Sequence, residues 1–217
     1  MATHILPTSD MHSDLIRYPT LRTGRLILVP LQLNDAEAIQ LLFPHREVVR
    51  YLASAVPWPY PSDGALQFVR DHELPAIGRG TQWSWTIRLR MSPEQLIGSI
   101  SLYDEPDNNR GFWLAPKWHG HGYMGEACEP VNRYWFETLN RPVMRVPKAV
   151  ANQPSRRISE REGMQLVDTR DGHFVCGKCN KKSGSSIGNG GLNYKAGVST
   201  DTDNRPRVIG SPPNSTT

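Results

Sequence analysis

The amino-acid sequence predicts an α/β (α+β) domain, a mixed and mostly antiparallel sheet flanked by helices. Three observations predict it. Residues 83–114 carry three short strand-like runs joined by polar turns, the pattern of an antiparallel meander. Residues 111–127, GFWLAPKWHGHGYMGEA, read as a strand, a glycine-punctuated loop and an amphipathic helix. Residues 143–163 then pass from an apolar run into the helix start Asn152-Gln153-Pro154-Ser155, with Gly163 as its stop.

The chain has 217 residues, 38% of them hydrophobic, enough for one sizeable core. Residues 20–178 are expected to form that domain, after an irregular lead-in over 1–19. Arg25 to Leu31 is a short apolar run suited to a buried strand. Asn34-Asp35-Ala36-Glu37 has capping-box spacing, and Ala38, Leu41 and Leu42 supply the apolar face behind it. A second helical piece over Arg46 to Ala53 ends before Pro57-Trp58-Pro59-Tyr60-Pro61. Ser62 or Asp63 opens a further helix to about Ile77, closed by Gly78-Arg79-Gly80.

From there the period becomes two. Trp83, Trp85, Ile87 and Leu89 share one face of a strand, with Ser84, Thr86 and Arg88 on the other. Leu96 to Tyr103 is the next strand, Asp104 to Asn109 a polar turn, and Arg110 to Leu114 the third strand. The helix after the glycine loop is apolar at Met124, Ala127, Cys128, Val131, Trp135 and Leu139 and ends near Asn140. Val143 to Val150 is a strand, Asn152 to Glu162 a helix, and Gln165 to Lys178 strand-like with a turn at Asp171-Gly172.

Composition excludes several classes. No apolar run approaches 18 residues and no secretory signal opens the chain, which predicts a cytoplasmic protein without a membrane partner. Three cysteines make no disulfide framework. A net charge of +4 favours a phosphorylated ligand but is too small to argue for nucleic acid. His173, Cys176 and Cys179 have part of a metal-ligand spacing, yet a structural zinc needs a fourth ligand, so no metal is expected. Cys128 falls on the buried helix face and reads as inert.

The loop His119-Gly120-His121-Gly122 opens a helix, so free N–H groups and the positive end of the helix dipole coincide there. It reads as an anion cradle. Tyr123-Met124 stand where a P-loop has Lys-Ser/Thr, and the loop lies too late in the chain for a dinucleotide fingerprint. The two histidines read as loop residues that favour an anion rather than as catalysts.

Leu21-Arg22-Thr23-Gly24-Arg25-Leu26, the block from Trp113 to Ala127, and Asn152-Gln153-Pro154-Ser155 running to Glu162-Gly163-Met164 together resemble the GCN5-related N-acetyltransferase (GNAT) superfamily, in its ribosomal-protein-alanine acetyltransferase-like branch. The resemblance implies acetyl-CoA as co-substrate, its pyrophosphate on the N–H groups of His119, Gly120, His121, Gly122, Tyr123, Met124 and Gly125. It implies a pantetheine arm along Trp113, Leu114 and Ala115, in a wedge where that strand splays from 143–150. Pro147, with no N–H to donate, suits a strand that parts from its neighbour. Asn152 would bond the pantetheine, and Ser155 is the candidate acid for the departing thiolate. The implied partner is a primary amine, either a protein N-terminus such as a ribosomal protein alanine or a small molecule, acted on by a monomer or homodimer.

Two features depart from that pattern. Many relatives have a glutamate just before the Gly-aromatic strand, and Asn109 stands there; Asp104, Glu105, His119 and His121 remain nearby without marking a base. Residues 179–217 are dominated by Gly, Ser, Pro, Asn and Thr and are expected to be disordered, leaving the final strand missing and one sheet edge unpaired. Both departures keep open an alternative, an acyl-CoA-binding protein with this fold and little catalysis. Trp83, Trp85 and Trp113 are expected in the core, Trp58 and Tyr60 beside an acceptor cleft, and Arg156, Arg157 and Arg161 on a solvated face or near phosphate.

Overall fold

Period-two alternation places one side of each central strand in the core. The computed structural model describes residues 18–52 and 56–171 and the strands at 190–200 and 206–208. Strands β1 (Leu21–Arg22), β2 (Leu26–Pro30), β3 (Gln82–Leu89), β4 (Ser92–Tyr103) and β5 (Arg110–Leu114) pair in that order, each antiparallel to the next. The register aligns Trp85 with Ile100 and Ile100 with Phe112, and Ser84 with Ser101 and Ser101 with Gly111. One face is apolar: Leu26, Leu28, Trp83, Trp85, Ile87, Ile100 and Leu102 are buried on it. The other carries Ser84, Thr86, Ser99 and Ser101, buried polar groups that must be hydrogen-bonded to be tolerated.

Helix α5 (Tyr123–Arg133) covers the apolar face with Met124, Ala127, Cys128 and Val131, all buried as the three-and-four spacing requires. It continues as a π-helical segment, Tyr134–Thr138, whose Tyr134 meets Trp85 edge-on at 5.4 Å. Over the polar face lie α1 (Ala36–Leu42), the short α2 (Arg46–Val49), and one continuous helix built from α3 (Gly64–Phe68), a π-helical segment (Val69–Glu73) and α4 (Leu74–Gly78). Gly80 closes it at φ +69°. The capping box lies two residues ahead of its expected place. Asp35 Oδ2 accepts from Gln32 N at 2.9 Å and Asp35 N donates to Gln32 O at 3.1 Å, because Asp35 also pairs with Arg88 on β3 and is thereby held inward.

The expected core entry is earlier than residue 20. Tyr18 is buried, its ring edge-on to Trp85 at 4.8 Å, and its Oη accepts from Ser84 N at 3.0 Å while donating to Ser84 O.

Strand β6 (Val143–Ala149), helix α6 (Gln153–Arg161) and strand β7 (Gln165–Asp171) follow, and β8 (Gly190–Thr200) inserts antiparallel between β6 and β7. A short β9 (Pro206–Val208) pairs with β8. This corrects the expectation of a strandless tail and a missing final strand. Leu192, Tyr194, Ala196 and Val198 alternate with Asn193, Lys195, Gly197 and Ser199, a period of two that the Gly and Asn content disguised. Backbone N–H and C=O groups of β6 and β7 are paired by it rather than left open. The rest of 172–189, including the predicted Asp171-Gly172 turn and the strand to Lys178, lies outside the described residues.

The two sheets are bonded to each other at Asn109. Asn109 N donates to Arg145 O at 2.7 Å, and Arg145 N donates to Asn109 Oδ1 at 2.7 Å. Asn109 Nδ2 donates to Tyr103 O at 3.2 Å and Glu105 O at 2.5 Å. Beyond this point β5 and β6 belong to separate ladders and part. Strand alternation turns the nitrogen of Pro147, two residues past Arg145, toward the parted side, where no donor is required.

Replacing Asn109 by Asp keeps the shape but sets a carboxylate against two carbonyl oxygens. Asn109→Asp is expected to lower stability by about 1–3 kcal/mol at pH 7. Facing those carbonyls raises the folded pKa of the new carboxyl above its unfolded value, so the deficit against the parent narrows as pH falls through the raised folded pKa and is gone below the unfolded one, which urea titrations from pH 7 down to about pH 4 measure.

Candidate functional site

The chain leaves β5 through Ala115, makes a 3-10 turn at Pro116–Trp118, and enters α5 by way of His119 to Gly122. Gly120 and Gly122 hold φ of +80° and +79°, a left-handed conformation that disfavours a Cβ. The first bond into α5 runs from Glu126 N to Gly122 O at 3.1 Å, so the N–H groups of Tyr123, Met124 and Gly125 precede it and point out of the helix end. A Cβ on Gly120 or Gly125 would meet nothing within 4 Å. Backbone donors, dipole and open space therefore coincide, and the cradle fits a phosphate group.

Both histidines hold the loop. His119 Nε2 lies 2.8 Å from Leu114 O and His121 Nδ1 2.8 Å from His119 O, and the His121 ring stacks on Tyr123 at 5.7 Å. The loop is also tied from the far end of the chain. Glu126 Oε1 accepts from Thr23 Oγ1 at 2.5 Å and from Arg25 N at 2.8 Å, and Glu126 Oε2 accepts from Arg25 Nε at 2.7 Å. Arg25 also donates to His121 O at 3.1 Å, and its guanidinium lies over the Tyr123 ring at 4.5 Å. Burial pushes the Glu126 carboxyl up, but these donors outweigh it and hold the group below the usual carboxylate range. Two segments singled out separately in the sequence, 21–26 and 113–127, are thus one clasp.

The parted strands form the second part of the site. Ala115 N donates to Ile97 O at 2.9 Å, so alternation turns the N–H groups of Phe112 and Leu114 away from β4 and toward the β6 side. On the opposite wall, Asn152 N donates to Ala149 O at 2.9 Å and Asn152 Oδ1 accepts from Ser155 N at 3.3 Å, capping α6 as its position predicts. Ser155 is buried in that first turn. Trp113, Leu114 and Ala115 thus lie along one wall of the opening, and Asn152 and Ser155 follow the end of the other.

Under the wedge sits a charged cluster that period-based reading missed. Arg110, fully buried, binds Glu162 through two bonds of 3.0 and 2.7 Å and also donates to Asn132 Oδ1. Buried Lys148 lies over the Phe112 ring at 4.7 Å, and burial together with Arg110 brings its pKa down to about 7. Burial pushes the Cys128 thiol up to about 12, consistent with an inert residue. The sequence signal was a lysine in a strand, Val143–Ala149, whose other charged residue is Arg145.

Trp113 is not core. It is half-buried on the polar face, edge-on to Phe43 at 5.3 Å, and Phe43 in turn meets Tyr60 at 5.3 Å. Tyr60 therefore belongs to an aromatic cluster with Phe43 and Trp113, and half-buried Trp58 lies on the same loop. Arg156 pairs with Glu160 at 2.6 Å, and Arg157 and Arg161 are exposed, which is the solvated reading of that face. Among the described residues no His, Cys, Asp and Glu cluster could hold a metal, and no helix is long and apolar enough to cross a membrane. His173, Cys176 and Cys179 lie outside the described residues.

Removing the Glu126 charge tests the clasp. Glu126→Gln is expected to lower stability by about 1–2 kcal/mol at pH 7. Because the folded pKa of Glu126 is depressed, its contribution is present above the unfolded value and lost as pH falls through the folded one, so the gap to the parent closes below about pH 4 in paired denaturant titrations.

The chain is similar to known proteins in sequence and in fold. YdaF of Bacillus subtilis (strain 168), whose name carries a provisional ribosomal N-acetyltransferase assignment, is 36% identical over 87 residues, 38% of this chain and 48% of that protein, so the match spans about half the relative's own length. The FsC-acetyl coenzyme A-N(2)-transacetylase of Aspergillus fumigatus is 28% identical over 160 residues, 70% of this chain and 67% of that protein. Among solved structures, the ribosomal L7/L12 alpha-N-protein acetyltransferase RimL in complex with coenzyme A superposes with a TM-score of 0.64 at 16% identity, covering 80% of this chain and 94% of that one, a likeness of fold. The family model described as "Acetyltransferase (GNAT) domain" matches residues 25–165, well over half of the sequence, and the chain belongs to that family.

Proposed function

We propose that this protein is an N-acetyltransferase that moves the acetyl group of acetyl-CoA to a primary amine, either a protein N-terminus or a small molecule. The observation that carries this reading is the parting of β5 from β6 beyond the Asn109–Arg145 bonds, with the α5 cradle following the open end of β5. Family membership supports it, as do the acetyl coenzyme A in the Aspergillus relative's name and the coenzyme A in the RimL complex.

The N–H groups from Gly120 to Gly125 take the pyrophosphate, the expected His119 N–H being bonded instead to Pro116 O at 3.1 Å, and the Arg25 guanidinium adds positive charge beside Gly122. Trp113, Leu114 and Ala115 form the wall for the pantetheine. Since Asn152 Oδ1 is used by the helix cap, Asn152 contributes its Nδ2 as donor. The Leu114 N–H, directed into the wedge, is the donor for the thioester oxygen, and such preorganised donors act where charge develops. The amine nitrogen forms the new C–N bond and the C–S bond breaks; the Ser155 hydroxyl gives its proton to sulfur and regains one from a water, which takes up the proton that leaves the amine.

Asn109 favours a second reading, a binding protein with little catalysis, because its amide is committed to the backbone where relatives place a glutamate. Calorimetry with acetyl-CoA, paired with a thiol-release assay over N-terminal peptides, polyamines and aminoglycosides, separates the two. Binding with thiol release is expected; binding with no release for any amine supports the second reading. Ser155→Ala is expected to lower kcat on the order of 10²-fold with acetyl-CoA affinity unchanged. An unchanged kcat removes Ser155 from the chemistry.

A further inference from the structure

Glu73 is a carboxyl buried on the polar face of the sheet, with no ion-pair partner among the described residues. It closes the π-helical segment Val69–Glu73, where the wider turn breaks the regular 3.6-residue spacing. Its own-helix neighbours Arg70, Asp71 and His72 are exposed, while Glu73 turns inward. The groups that face it there are neutral, the Ser84 hydroxyl and the Gln82 amide. Across β3 and β4, Ser84 Oγ lies 2.8 Å from Ser101 Oγ and accepts from Gln82 Nε2 at 2.9 Å. Ser101 in turn is hydrogen-bonded to the Tyr103 hydroxyl.

The far end of this chain reaches β5. Tyr103 Oη lies 3.0 Å from where a Cβ on Gly111 would stand, so the phenol lies across the backbone of Gly111 and only glycine leaves room for it. Gly111 is on the strand whose next residues, Phe112 to Leu114, form a wall of the wedge. On the same face Trp113, Phe43 and Tyr60 make the aromatic cleft. A row of oxygens therefore runs from the Gly111 backbone on β5 to a buried carboxyl.

We propose that Glu73 is the terminal acceptor of the proton leaving the substrate amine, delivered through Tyr103, Ser101 and Ser84. The inference rests on the acetyltransferase reading. The bound ammonium gives a proton to Tyr103 Oη as the Tyr103 proton moves to Ser101 Oγ, the Ser101 proton to Ser84 Oγ, and the Ser84 proton to the Glu73 carboxylate. Each hydroxyl ends as it began, the amine is free to attack, and Glu73 is left as the neutral acid until product leaves. Tyr103 touches the substrate and is the catalytic residue; Glu73, Ser84 and Ser101 are positioning residues. Burial raises the Glu73 carboxyl above the ordinary range, with the Ser84 and Gln82 bonds pulling it partly back, so it is a stronger base than a surface carboxylate. The titratable groups facing it are the phenols Tyr18 and Tyr103, and no cation among the described residues offsets its charge.

The test uses the full chain with the most active amine of the acceptor panel, and the variants Glu73→Gln and Tyr103→Phe. Acetyl-CoA affinity by calorimetry and melting temperature are measured alongside kcat from pH 5.5 to 9.5. Both variants are expected to bind acetyl-CoA within about two-fold of the parent and to lose on the order of 10²-fold in kcat at pH 7. The parent's ascending pH limb is expected to vanish in Glu73→Gln, leaving a rate that rises only as the free amine itself deprotonates. Should Glu73→Gln fail to fold, Tyr103→Phe carries the same expectation. An active parent whose variants keep the parent's kcat and pH profile overturns the relay alone. A parent that binds acetyl-CoA and acetylates no amine overturns the relay and the acetyltransferase reading together.

Discussion

A single side-chain amide, Asn109, sets the geometry on which the candidate site depends. Its Oδ1 accepts from Arg145 N while its Nδ2 donates to the carbonyls of Tyr103 and Glu105. An amide matches that mixture of one donor and two acceptors; a carboxylate would match only the first. One turn of chain is thereby bonded to β4 and β6 together, and from that fixed point β5 runs with the first sheet while β6 runs with the second. The opening between them is a direct consequence. Asn109 is thus a structural joint.

The cradle obeys a similar logic at a different scale. The N-terminus of α5 presents unbonded N–H groups, yet a loop holding two left-handed glycines is intrinsically mobile. Thr23 and Arg25 restrict it by bonding Glu126, one turn into the helix, and Arg25 reaches on to His121 O and the Tyr123 ring. Glu126 also complements the helix dipole in the first turn. The clasp thus fixes the loop with side chains that leave its backbone donors uncommitted. The same division holds on β5, where Ala115 is used by the ladder and Leu114 faces the wedge.

The two faces of the sheet do different work. The face under α5 is conventional core, except for Arg110, Glu162 and Lys148, whose charges are buried beneath the opening. The opposite face is lined by Ser84, Thr86, Ser99 and Ser101, mutually hydrogen-bonded or bonded to backbone. A buried polar network of this kind is tolerated when its members are satisfied. It also places Glu73 beside Ser84 and Ser101, which a purely apolar face could not do.

Much of the architecture was legible without coordinates. The alternation from Trp83 to Leu114 gave the meander, the spacing of Met124, Ala127, Cys128 and Val131 gave the buried helix face, and Asn152 with Pro154 gave the α6 cap. These are local signals, fixed by backbone periodicity and by which termini lack partners. The strand at 190–200 was misread because glycine and asparagine lower the apparent strand propensity of a segment whose pairing is decided by β6 and β7. Sequence by itself thus determined the secondary elements and the glycine cradle. Only the tertiary structure decided that Glu126 is clasped by residues a hundred positions away, that Asn109 is a joint, and that Glu73 connects through hydroxyls to Tyr103. Such contacts depend on distances between chain segments that no local period encodes.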